Sequence, residues 1–186
     1  YSVSFDGTDF GGNLASTVTS TSVTYDVTAP VISSVSPITS ATVNNTNVGY
    51  TLSESLFSGT VTFTRTGGDL DVSSPHTVNL TGAELSSGSF SGALSNAPTL
   101  VDGTIYAVSF DGIDFGGNSA IRVTSTMVTY DVTAPVFSSV SPTTSAKVNS
   151  ANVDYTLSES LVSGTVTFTH TGGNADLSSP HIVNLT

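Results

Sequence analysis

Apolar residues recur at every second position along most of this 186-residue chain. Val48, Tyr50 and Leu52 alternate with Asn47, Gly49 and Thr51, and Val61 and Phe63 alternate with Thr60, Thr62 and Thr64. Tyr106, Val108 and Phe110 alternate with Ile105, Ala107 and Ser109. A period of two marks a strand with one buried face. Further strands are expected at 31–35 between Pro30 and Pro37, at Val78 and Leu80, around Phe90, and over 120–130. The last of these carries Ile121 and Val123, then Val128 and Tyr130, two pairs out of phase by one residue. A bulge or a change of sheet is predicted between them. No stretch has helical spacing.

The pattern occurs twice. Residues 1–81 laid on 106–186 match at 63 of 81 positions, with a constant offset of 105. Such a period is too long for a solenoid coil and fits a string of whole domains. The expected organisation is three pieces. Residues 1–27 form the last two strands of one unit, 28–130 a complete unit, and 131–186 the first strands of the next. Seven short strands in about 100 residues, separated by turn signals, give the pattern of an immunoglobulin-like sandwich. The fold class expected is therefore all-β, as tandem immunoglobulin-like β-sandwich repeats. The run Leu100 to Tyr106, with a turn at Asp102-Gly103, predicts a tyrosine whose hydroxyl bonds back to backbone across that turn.

Composition narrows the function. There are 14 acidic and 3 basic side chains, a net charge of −11, and no cysteine. Nucleic acid and anionic membrane surfaces need a basic footprint that is missing here. A disulfide framework is excluded, and no apolar run reaches the length of a membrane span. The acidity suits cations. No nucleophile–base set, zinc-spaced cluster or phosphate loop is present, so no enzyme is expected. His76 and His181 are repeat equivalents beside prolines and read as structural or solvated. Residues 28–130 contain no lysine, which excludes an isopeptide cross-link in that unit. Threonine runs such as 60–64 read as outward strand positions, not as an ice-binding array.

The acids Asp26, Glu54, Asp111 and Asp114, with Asn118, are scattered in sequence. The expected topology gathers them. Glu54 falls in the turn between the second and third strands, and Asp111 and Asp114 in the loop between the last two. Asp26 lies in the joint before the first strand. All converge at the end where the chain enters the unit. Clustered hard oxygen ligands suit Ca²⁺. The same residue types are also ordinary turn formers through side-chain bonds to backbone, and that reading stands beside the first. Asp69 and Asp71 read as turn residues.

The chain resembles the bacterial immunoglobulin-like repeats of large surface adhesins and biofilm-associated proteins. The resemblance lies in DVTAPV (26–31 and 131–136), SPxTSAxVN, YTLSE (50–54), LVDGTIYAVSF (100–110) and DxxDFGGN (6–13 and 111–118). It implies an extracellular or cell-surface location, a spacer role, calcium at the joints, and neighbouring repeats of the same chain as partners. Two alternatives remain. One is a filament or sheath subunit completed by strand addition from other copies. The other is a module binding carbohydrate or protein, which the absence of tryptophan and the inward placement of most aromatics disfavour.

Overall fold

The computed structural model describes residues 1–185. The chain divides into two compact units, Tyr1–Val132 and Thr133–Thr186. The first opens with a hairpin of β1 (Val3–Phe5) and β2 (Val18–Ser20). Then follow β3 (Ile32–Ser36), β4 (Thr42–Val43), β5 (Val48–Leu52), β6 (Leu56–Gly68), β7 (His76–Asn79), β8 (Gly88–Gly92), β9 (Thr104–Asp114) and β10 (Val123–Tyr130). A single 3₁₀ turn, Gly82–Leu85, lies between β7 and β8.

These strands build one three-stranded sheet, ordered β3-β5-β8, and one five-stranded sheet, ordered β4-β10-β9-β6-β7. Every pairing is antiparallel except β4 with β10. The inward residues of both sheets meet in one core. Ile32, Val48, Tyr50 and Leu52 come from the smaller sheet, and Val61, Phe63, Val78, Tyr106, Val108, Phe110 and Val128 from the larger. The unit is all-β, with two layers compatible with a β-sandwich. Alternation explains the layers, because each strand can bury only one of its two faces.

Most expected strands are present, with the first shifted to 32–36 and the last shortened to 123–130. The two-residue β4 carries no alternation and was not foreseen. It pairs parallel with Thr129 and Tyr130. The phase conflict in β10 is resolved by a register shift between Ser125 and Val128, where Met127 takes φ 56°. An extra residue thus restores the inward aim of Val128.

The far end of β6 is drawn close to the start of β9. Gly68, at φ +65°, pairs with Thr104, and a Cβ there would stand 2.2 Å from the Gly103 carbonyl oxygen. Only glycine fits. Beside it Tyr106 is fully buried. Its hydroxyl accepts the Val101 N–H at 3.1 Å, the back-bond expected from the sequence, and donates to Asp71 Oδ2 at 2.7 Å. Asp71 also accepts from the Ser73 N–H and pairs with His76 Nε2 at 2.6 Å. The reading of Asp71 as a plain turn residue is therefore corrected. Its side chain is 2% exposed and ties the β6–β7 turn to the start of β9.

Glu84 is a second buried acid that the sequence reading passed over. Its carboxylate accepts the Thr81 and Ser95 N–H groups, and its carbonyl oxygen accepts the Tyr50 hydroxyl. Thr81-Gly82-Ala83-Glu84 has the spacing of a capping box, and that signal was available in the sequence.

In the second unit β11 (Phe137–Ser141) pairs with β12 (Asp154–Leu157), and β13 (Gly164–Phe168) with β14 (His181–Leu185). Phe137 faces Leu157 as Ile32 faces Leu52, and Thr165 faces Asn184 as Thr60 faces Asn79. Ser139 and Ser34 both adopt φ 51° at the same register shift.

Candidate metal centre

Three acids meet at one end of the first unit. Asp26 precedes β3, Glu54 lies in the turn from β5 to β6, and Asp114 closes β9. Each offers a carboxylate oxygen, and these oxygens lie within 4.8 Å of one another. The convergence rests on strand direction. β5 runs toward this end, β6 leaves it, and β9 returns to it alongside β6, with Leu56 opposite Asp114. Leu56 and Asp114 are each only 2% exposed, so the acid sits at the edge of the core.

Local chemistry shapes the turn after β9. Asp114 Oδ1 accepts the Asn118 N–H at 2.8 Å, and Oδ2 accepts Asn118 Nδ2 at 2.9 Å. The same turn forms at Asp9, whose carboxylate accepts Gly11 N–H, Asn13 N–H and Asn13 Nδ2. Among the described residues no pair of further acids gathers there, so these bonds are intrinsic turn chemistry. Glu54 and Asp26 are what the tertiary fold adds. Asn118 Nδ2 also donates to the Asp26 carbonyl oxygen at 3.2 Å. Gly116 lets the joint come this near, since a Cβ there would stand 3.1 Å from that same carbonyl.

The electrostatics are unbalanced. Burial, then the negative charges of Asp26 and Asp114, push the Glu54 carboxyl above its ordinary value. Burial works in the same direction on Asp114. There the bonds from Asn118 and the turn amides outweigh it and hold the carboxyl below its ordinary value. Among the described residues, none of the three acids forms an ion pair, and Glu54 accepts no hydrogen bond. Three carboxylates with one unpartnered member form a donor set suited to a hard divalent cation.

Of the five residues expected to bind metal, the fold brings Asp26, Glu54 and Asp114 together. Asn118 is adjacent, but it braces the site by donating its amide hydrogens. Asp111 is corrected. It lies within β9 and not in the loop, because the strand continues to Asp114 before turning. Phe110 faces inward, so Asp111 faces out, where Arg122 Nε binds both its oxygens at 2.9 and 3.0 Å. The sequence pattern carried the signal, since Tyr106, Val108 and Phe110 extend in phase to Gly112 and Asp114. Two aromatics were also missed as surface groups. Phe57 and Phe115 are 66% and 76% exposed beside the acids.

Comparison with known protein families, curated proteins and solved structures finds no match to this chain.

Proposed function

We propose that the chain is a stretch of tandem immunoglobulin-like repeats, serving as a spacer in a large extracellular bacterial surface or secreted adhesin. Calcium held by Asp26, Glu54 and Asp114 would stiffen the entry joint of each repeat. The observation that carries this reading is the meeting of the three carboxylates within 4.8 Å. One acid belongs to the joint and two belong to the body of the unit. The strand order β3-β5-β8 with β4-β10-β9-β6-β7 supports an immunoglobulin-like connectivity. Repetition at an offset of 105 suits a spacer, which needs many copies and no unique site.

A bound calcium ion supplies positive charge that cancels the repulsion among the three acids. The residues supply the rest. Asn118 holds Asp114 and the Asp26 backbone in place, and Pro30 limits the joint that follows. A ligand that binds only the folded state raises stability by mass action.

Thermal melts of the full chain by circular dichroism, with millimolar calcium and with chelator, test the proposal. Calcium is expected to raise the melting temperature. Glu54→Gln is the diagnostic variant, because Glu54 supports no turn of its own. It should abolish the calcium response and raise the melting temperature in chelator, by removing one repelling charge. Identical melts of the parent chain in both conditions would return all three acids to the role of turn and surface residues.

A further inference from the structure

We propose that the outer face of the five-stranded sheet carries a binding groove for a neutral pyranoside glycan, built around Phe57. The β6–β9 ladder slips register between Leu56 and Ser58. Leu56 points into the core, and the slip turns Phe57 outward to 66% exposure. Bulges commonly re-aim a side chain in this way beside functional sites. Phe115 meets the Phe57 ring edge-on, with centroids 5.7 Å apart and planes at 74°, and so fixes it from one side. Phe57 also lines an open cleft of about 310 Å³, together with Thr60, Asn79, Asp111 and Ile113.

That lining has two characters. Phe57 and Ile113 give an apolar wall. Thr60, Asn79 and Asp111 add hydroxyl, amide and carboxylate groups to the lining, and Arg122, which lies outside it, pairs with Asp111. A pyranose ring has the complementary halves, an apolar C–H face and a rim of hydroxyls that both donate and accept. Planar amide and carboxylate groups can each engage two neighbouring hydroxyls. Charge decides between glycan types. Arg122 pairs with Asp111 and offsets its charge, and the chain as a whole carries −11, so an anionic sugar is repelled while a neutral one is not. An exposed aromatic pair beside converging polar groups is also the arrangement of a small-ligand site. The copies differ here, since Val162 stands where the first copy has Phe57.

Saturation-transfer NMR on the full chain tests the groove, with maltotriose and cellotriose as neutral probes and digalacturonate as the anionic one. Transfer to the ring C–H protons of at least one neutral probe is expected, with none to digalacturonate. Phe57→Val, which places the second copy's residue in the first, should weaken binding by roughly tenfold or more, the usual effect of losing an aromatic anchor. Asp111→Asn should weaken it too. Both positions are on the surface, and unchanged melting temperatures would show that the variants remain folded. Transfer should be the same with chelator as with millimolar calcium, which separates this groove from the metal centre. Absence of transfer from all three probes would overturn the proposal. So would transfer that survives both groove variants, or transfer stronger to digalacturonate than to the neutral probes.

Discussion

Phe110 and Phe5 occupy the same place in two copies of one sequence, yet one is 2% exposed and the other 61%. Tyr106 and Tyr1 differ further, at 0% and 80%. Local pairing is the same in both copies. Val3 faces Ser20 and Phe5 faces Val18, as Val108 faces Ser125 and Phe110 faces Val123. The difference is the second layer. β9 and β10 lie over β3, β5 and β8, whereas no second sheet covers β1 and β2 among the described residues. The unit Thr133–Thr186 repeats the lesson from the other sheet. Tyr155 is 38% exposed where Tyr50 is 2%. Strand pairing follows from alternation and turns, and burial comes only from a partner sheet.

The sharpest way to test that comparison is to truncate the same residue in both copies. Phe110→Ala empties a packed core position and should cost about 3–5 kcal/mol. Phe5→Ala should change stability by no more than about 0.5 kcal/mol, as at other exposed positions. Denaturant melts of the two variants measure both. Equal losses would mean that the residue 1–27 hairpin is packed against a sheet after all. Next in size is the tyrosine hydroxyl. Tyr106→Phe leaves the Val101 N–H without its acceptor and removes one of the two bonds on Asp71 Oδ2, which keeps His76, at about 1–3 kcal/mol. Tyr1→Phe should be neutral.

This contrast also marks what could be read from the sequence. Period-two alternation located the strands between 28 and 130 except β4, and the phase break in 120–130 located the bulge in β10. Strand direction then placed Glu54 and Asp114 at one end, with Asp26. Asp111 was misplaced because the turn was set four residues too early, after Phe110 where the strand in fact runs on to Asp114. The outward aim of Phe57 depends on a register slip between strands distant in sequence, and alternation within β6 alone does not report it. Asp71 looked like any turn aspartate. Its burial depends on Tyr106, 35 residues away, reaching it across the sheet.

The smallest expected effect concerns that same aspartate, and acid removes it. Hydrogen bonds from His76 first, then Tyr106, hold the Asp71 carboxyl below its ordinary value despite burial. A group whose folded pKa is depressed adds stability above its unfolded value, near 3.9 by reference. That contribution is lost as pH falls through the lower folded value. Asp176 has the same pairing with His181 and the same direction of shift, but its side chain is 38% exposed. Melting temperature measured from pH 6 down to about 2 should therefore fall more steeply in the parent chain than in Asp71→Asn. Asp176→Asn should leave the acid limb nearly unchanged, because solvent screens an exposed pair. If the two asparagine variants flatten the limb equally, the buried layer adds nothing to this network, and its bonds act through the turn alone.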